Sequence, residues 1–158
     1  MTTPTEVKIQ PTERSPRYGE LDRAALIAAV IKLSQIDGIE KVTMRAIAAE
    51  LGASAASLYH HLPSKQELLD LVAEEVLSSI VIPTEGPWDQ QLRELYVFGR
   101  SEMLKVPGIA MVVQTRPLVE AGRALNAASM RILLDAGFSK TTARDANALL
   151  YTHQLGSV

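Results

Sequence analysis

The sequence predicts an all-α protein, in which an N-terminal three-helix domain of the helix-turn-helix type precedes a C-terminal helical bundle. Apolar residues recur every three or four positions along most of the chain, which is the period of an α-helix. No alternation of apolar and polar residues persists long enough to indicate a strand. Within residues 42–65, two short helical patterns flank Gly52, and such a pair can place its second helix in the DNA major groove.

The composition is that of a globular protein with one or two domains: 158 residues, of which 47% are hydrophobic and 22% charged. The net charge of −2 means that any surface that binds DNA must be a local one. The absence of cysteine excludes disulfides, thiol catalysis and cysteine-ligated zinc, and it fits a reducing cytoplasm. No apolar run approaches the roughly 20 residues of a membrane span, so we expect a cytoplasmic protein with no membrane partner.

Proline and glycine divide the chain into three predicted parts. Residues 1–20 hold three prolines and no apolar face, which predicts a flexible N-terminal arm. Residues 21–82 form the predicted helix-turn-helix domain with a connecting fourth helix, and residues 83–158 form the predicted bundle. The boundary lies at residues 82–87, IPTEGP, where turn-forming residues interrupt the helical spacing.

Small polar residues stand where the helices of the first domain should begin. Each can accept a hydrogen bond from a backbone N–H in the first helical turn, and we expect four such N-caps: Asp22, Thr43, Ser54 and Ser64. Glu67 follows Ser64 by three residues, as in a capping box. Gly38 is the expected end of the first helix, and the fourth helix is predicted to run to about Ile82.

Helical spacing continues through the second half. It covers residues 92–106 and a short segment at 109–114, and the Pro107–Gly108 pair separates the two. Pro117 suits the first turn of a helix that ends near Gly137. Ser139 can cap a last helix.

The residues of the first domain carry a family resemblance. The helix caps, the turn glycine and an aromatic residue stand at a characteristic spacing from one another. They lie in residues 43–48 (TMRAIA), 51–52 (LG) and 57–62 (SLYHHL), at Lys65 and in residues 68–69 (LL). This pattern resembles the N-terminal signature of TetR-family transcriptional regulators, and the likeness covers about residues 22–80.

The second half is similar to the ligand-binding domain of tetracycline repressors. The similar segments are residues 115–117 (TRP), 137–139 (GFS) and 155–158 (LGSV). Tetracycline-binding members place a metal-coordinating histidine three residues before this Thr-Arg-Pro, where the present chain has Val112. We therefore expect no metal site, no cofactor and an effector other than tetracycline–magnesium.

The resemblance implies a homodimer that binds a palindromic operator in double-stranded DNA and releases it when a small-molecule effector enters the bundle. Family members continue past the equivalent of Val158 with helices that help to form the dimer. The present chain stops within a helical pattern, so either it is a truncated product or the fold ends unusually early, and we expect the second domain to be incomplete at its C-terminus.

By the family pattern, Thr43 and Tyr59 donate to DNA phosphates and Lys65 adds a positive charge near the backbone. These groups suit phosphate positioning, which carries little sequence information. Base reading is expected from five residues: Arg45, Ala55, Ala56, Ser57 and His60. Arg45 can pair bidentately with guanine, whereas the two alanines can only pack on thymine methyl groups.

Several of these residues have a second interpretation. Thr43 can act as a helix cap alone, and Tyr59 can be a core aromatic. His60 and His61 are an unpromising metal site, since adjacent helical side chains point in directions about 100° apart. In the predicted arm, Arg14 and Arg17 either reach DNA or are solvated tail charges.

A ligand cavity in the bundle should be mostly apolar with a few polar groups. The candidate residues are Phe98, Met103, Met111, Thr115, Asn126, Met130, Asn147 and His153. The methionines can equally be ordinary core residues, and Thr115 can simply shape a turn.

The leading functional hypothesis is a transcriptional repressor, and a transcriptional activator is one alternative. An enzyme is not expected, because the chain has no nucleophile–base pair, HExxH or P-loop motif. A helical interaction protein that no longer binds DNA is a further alternative. It is favoured by Ala55 and Ala56 and by the acidic residues of the fourth helix: Glu67, Asp70, Glu74 and Glu75.

Overall fold

A computed structural model describes residues 22–62, 64–115 and 119–158 of the chain. Across these ranges it has no β-strand, which confirms the all-α prediction. A short 3₁₀ turn, Ile39–Lys41, follows the first helix. The α-helices are α1 Arg23–Asp37, α2 Met44–Glu50, α3 Ala55–His61, α4 Lys65–Ser78, α5 Trp88–Leu104, α6 Ile109–Thr115, α7 Glu120–Asp135 and α8 Lys140–Gly156.

The predicted N-caps are confirmed. Each side-chain oxygen accepts a hydrogen bond from a backbone N–H in the first turn of its helix: Asp22 from Ala24, Thr43 from Ala46, Ser54 from Ser57, Ser64 from Glu67, and Ser139 from Thr142. Gly38 ends α1 as expected. The predicted arm with Arg14 and Arg17, and the predicted role of Pro117, lie outside the described residues.

The prediction that the fourth helix reaches Ile82 is wrong, since α4 ends at Ser78. The Ser79 hydroxyl donates to the Val76 carbonyl oxygen at 2.7 Å. Ile80 N–H donates to Leu77 O at 3.2 Å, a 3₁₀-type bond. Pro83 disfavours a helical backbone at Ile82, the residue before it, so the helix ends short of that position.

The core of the N-terminal domain is built from α1, α2, α3 and the start of α4. Ile39, Ile47 and Leu58 are completely buried within it. The α4 helix packs against α1 at one side and against α5, α6 and α7 at the other. Since α4 contacts both halves, it is the structural link between them.

A second contact joins the halves at residues 38–41 and 105–108, and we call it the junction. The Ile39 N–H donates to the Pro107 carbonyl oxygen at 2.9 Å. Gln35 Nε2 donates to the Lys105 carbonyl oxygen at 2.5 Å. The 3₁₀ turn is therefore held between α1 and the loop that leads into α6. Among the described helices, none combines the length and apolar composition needed to cross a membrane.

Candidate DNA-recognition surface and effector cavity

The helices α2 and α3 are joined by a tight turn at Gly52. Gly52 has a φ of +63°, a conformation that glycine adopts without steric cost. The Ala53 N–H donates to the Ala48 carbonyl oxygen at 2.9 Å and closes the turn. Ile47 from α2 and Leu58 from α3 are fully buried, so the two helices are fixed to the same core.

The opposite face of this pair is exposed. Leu58 is the buried residue among the α3 side chains that the structure describes. All seven predicted contact residues of α2 and α3 are exposed: Thr43, Arg45, Ala55, Ala56, Ser57, Tyr59 and His60. Tyr59 is 51% exposed, so its interpretation as a core aromatic is wrong. Side chains that contact a DNA groove must be exposed, and these seven residues meet that requirement. Their contacts with DNA remain a prediction.

Lys65 differs from the other predicted contacts because it is half-buried. Its ammonium group donates to the Glu40 carbonyl oxygen at 2.5 Å, which ties the first turn of α4 to the 3₁₀ turn. An ammonium has three donors, so this bond does not exhaust its capacity. Sequence reasoning missed the bond, because Glu40 and Lys65 are brought together only by the packing of α4 beside α1.

Thr43 offers a direct test of capping against phosphate contact. Thr43→Ala is expected to lower the free energy of unfolding by about 1 kcal/mol, since the cap to Ala46 N–H is lost. Thr43→Asp should retain the cap, because aspartate is an equally good N-cap, but its charge repels phosphate. We expect wild-type thermal stability and weakened DNA binding for Thr43→Asp. Unchanged DNA affinity in a fluorescence anisotropy titration would show that Thr43 acts only as a cap.

The C-terminal half contains a cavity of about 310 Å³ between α4, α5, α6, α7 and α8. Its volume lies at the lower end of the range for small-molecule sites. Most of the lining is apolar and includes Leu77, Ile80, Leu95, Met103, Val113, Val119, Leu125 and Leu155. The polar side chains that line it are Tyr96, Arg123, Asn126, Tyr151 and Gln154.

A hydrogen-bonded network supports one wall of this cavity. The Tyr96 hydroxyl lies 3.1 Å from Ser129 Oγ and donates to Asn147 Oδ1 at 3.3 Å. Asn147 Nδ2 donates to Asn126 Oδ1 at 2.6 Å. Burial raises the pKa of Tyr96, and the hydrogen bond from Ser129 only partly offsets this. The phenol therefore stays protonated at neutral pH and holds α5, α7 and α8 together as a donor.

The first turn of α7 is capped from another helix. Val119, at the N-cap position, makes no side-chain capping bond. Both carboxylate oxygens of Glu74 in α4 instead accept from the Ala121 N–H at 3.1 Å. A carboxylate is favourable at a helix N-terminus because the unpaired N–H groups carry partial positive charge. The helix that borders the cavity is thus bonded to the helix that reaches the DNA-recognition domain.

Comparison with known proteins identifies the family. Residues 26–72 match the model of the bacterial regulatory proteins of the tetR family. An HTH-type transcriptional regulator of Saccharopolyspora erythraea is 31% identical over 98% of the chain and 67% of its own length. This chain belongs to the TetR family. It is a DNA-binding transcriptional regulator with a helix-turn-helix domain and a helical C-terminal region.

Solved TetR-family structures share the fold. ActR of Streptomyces coelicolor in complex with actinorhodin is 28% identical, with a TM-score of 0.74 over 87% of this chain and 67% of ActR. BioQ with its double-stranded DNA operator is 27% identical, with a TM-score of 0.76 over 87% of this chain and 85% of BioQ. Against several other curated regulators, the chain spans only 38% to 65% of their lengths.

The TetR-family chain brings only some of the predicted effector residues to the cavity. Met103 and Asn126 line it, and Asn147 lies behind Asn126 in the hydrogen-bonded network. The other five predicted residues are absent from the lining: Phe98, Met111, Thr115, Met130 and His153. Met111 is 60% exposed and the Thr115 hydroxyl bonds to backbone carbonyls of its own helix. Among the described residues, no three His, Cys, Asp or Glu side chains gather as metal ligands.

Sequence reasoning found Asn126 but missed the other polar residues that line this TetR-family cavity: Tyr96, Arg123, Tyr151 and Gln154. Gly99 in the middle of α5 was the available signal, since a buried glycine inside a helix indicates close packing. A Cβ atom there would lie 2.6 Å from the side-chain amide of Gln154. In the orientation that satisfies both amide atoms, Gln154 donates to Tyr96 O and accepts from Arg100 N–H, each at 3.2 Å. Gln154 therefore lies directly against the α5 backbone.

Proposed function

We propose that this regulator is a repressor that binds a palindromic operator as a homodimer and leaves it when a small molecule fills the cavity. The position of α4 is the observation that carries the proposal. Lys65 at its start bonds to Glu40 in the DNA-recognition domain, whereas Glu74 caps α7 and Leu77 lines the cavity. One rigid helix therefore reaches from the candidate sensor to the candidate DNA reader.

The mechanism follows from this placement. A ligand that moves the first turn of α7 moves the Glu74 carboxylate bonded to it, and α4 shifts with Glu74. The tilt of α4 changes the position of α3. In a dimer, the two recognition helices must stand about 34–36 Å apart to enter successive major grooves. A change in that spacing lowers operator affinity, and couplings of this kind are typically about 1–3 kcal/mol.

The relatives support both halves of the proposal. BioQ was solved with its operator and ActR with actinorhodin, and both share the present fold. The described part of this chain offers an exposed α2–α3 face in one half and a cavity between the helices of the other. We place the protein in the cytoplasm, where bacterial DNA is accessible to it.

Operator binding tests the assigned contacts. We expect a footprint on DNA upstream of the protein's own or neighbouring gene. Arg45→Ala should relax base preference at one position per half-site, a loss of about 1–3 kcal/mol of discrimination. Tyr59→Phe should weaken binding to all sequences alike, because phosphate contacts carry no sequence information. Anisotropy titrations on a panel of single-base operator variants measure both effects.

Arg93→Ala, an exposed arginine on α5, is the matched control and should bind as the wild type does. If Arg45→Ala kept the wild-type base preference, Arg45 would not read a base. The absence of any footprint for the wild-type protein would instead favour an interaction protein that does not bind DNA.

A further inference from the structure

Among the described residues, the cavity lining carries positive charge and no negative charge. Among the described lining residues, Arg123 is the charged side chain, and no carboxylate lines the cavity. Arg123 is exposed and makes no ion pair with a described residue. The remaining polar lining consists of neutral phenols and amides. An apolar cavity with a guanidinium in its lining is chemically suited to a ligand that is apolar over most of its surface and carries a negatively charged group.

Arg123 has a neighbouring donor on the same helix face. Asn126 follows it by three residues in α7, and side chains three apart on a helix lie side by side. Asn126 Oδ1 accepts from Asn147, so Nδ2 is the group with which Asn126, a lining residue, can donate to a ligand. The network through Tyr96 and Asn147 fixes this orientation. A guanidinium and an amide N–H₂ therefore belong to neighbouring side chains of α7 that line the same apolar space.

We infer that the effector is an organic anion, apolar over most of its surface, that carries a carboxylate, sulfonate or comparable acidic group held by Arg123 and Asn126. Hydrogen bonds between a guanidinium and an anionic oxygen are about twice as strong as neutral ones. A cationic ligand would meet the like charge of Arg123 with no described carboxylate in the lining to offset it. The inference rests on the proposed sensor function of the cavity and names the chemical class of its ligand.

Two fluorescent probes of nearly the same shape, one anionic and one neutral, separate the contribution of ligand charge to binding affinity from that of apolar contact. 8-Anilinonaphthalene-1-sulfonate carries a sulfonate, and N-phenyl-1-naphthylamine is the same skeleton without it. We expect the purified 158-residue chain to bind the sulfonate probe more tightly than the neutral probe. Arg123→Gln should weaken sulfonate binding roughly tenfold or more, as expected for lost hydrogen bonds to a charged group. Binding of the neutral probe should change less than twofold.

Arg131→Gln is the matched control, since Arg131 is also exposed on α7 but is absent from the cavity lining. It should leave both affinities unchanged. Leu125→Trp fills the half-buried edge of the cavity and should weaken both probes. Equal loss of both probes in Arg123→Gln would overturn the inference, as would undiminished binding of both probes to Leu125→Trp.

Operator release separates this inference from the proposed function. Each probe is added to a preformed protein–operator complex, and anisotropy reports release. If the sulfonate binds through Arg123 and the operator is not released, the ligand chemistry stands and the repressor mechanism fails. If only the neutral probe releases the operator, and does so equally from Arg123→Gln, the repressor mechanism stands and the anionic ligand class is wrong.

Discussion

Leu58→Ala is expected to lower the free energy of unfolding by about 2–5 kcal/mol, the range for truncation of a fully buried leucine. Leu58 is 0% exposed and attaches the seven-residue α3 to the core. A helix of this length has little stability in water on its own, so its structure depends on that attachment. A natural domain has only about 5–15 kcal/mol of stability in total. We therefore expect a lower Tm together with a parallel loss of operator affinity.

Leu149→Ala is the matched control for Leu58→Ala, because Leu149 lies in α8 and is 72% exposed. Its stability should stay within about 0.5 kcal/mol of the wild type. Urea denaturation followed by circular dichroism measures both variants. A loss below 1 kcal/mol for Leu58→Ala would mean that α3 is not held through this side chain.

Gly108→Ala is expected to destabilise the chain and to lower the operator affinity of the DNA-recognition domain. Gly108 has a φ of +85°, where an alanine costs about 1–3 kcal/mol. A Cβ atom there would lie 2.6 Å from Glu40 Oε2 and 3.3 Å from Ile39 Cγ2. These atoms belong to the junction, and the Glu40 carbonyl also accepts the Lys65 bond. The carboxylate of the exposed Glu40 can turn away, but the fully buried Ile39 must give way, so the change should shift the 3₁₀ turn and lower operator affinity.

Gly137→Ala separates the two effects of the Gly108 change. Gly137 has a similar φ of +90°, but a Cβ atom there would meet nothing within 4 Å. Both variants should lose comparable stability from backbone strain. Only Gly108→Ala should change operator affinity, measured by anisotropy at a temperature where both variants are folded. Equal operator affinity in the two variants would show that the junction does not communicate with the recognition helices.

The features predicted well from sequence are those decided by neighbours in the chain. The caps at Asp22, Thr43, Ser54, Ser64 and Ser139 were predictable because each bonds to an N–H only two or three residues away. The exposed face of α3 could be predicted because helical spacing turns Leu58 toward the core and its neighbours in the helix away from it. Its turn at Gly52 was equally local.

The cavity was less predictable because its lining depends on how separate helices face one another. Arg123 and Gln154 come from α7 and α8, and nothing in their local sequence distinguishes them from solvated surface residues. Phe98 and Met111 have the apolar character of cavity residues, but their helices turn them outward. The end of α4 was missed for a different reason, since the apolar residues continue through Ile80 and Ile82 although the helix has ended at Ser78.

The capping of α7 by Glu74 also has a thermodynamic consequence. Because α7 has no side-chain cap of its own at Val119, its first turn is most stable when α4 occupies the position seen here. Coupling between two binding sites is reciprocal: if the effector weakens operator binding by some factor, the operator must weaken effector binding by that same factor. A cell with many operator copies would therefore need more effector to achieve the same fractional occupancy of the cavity.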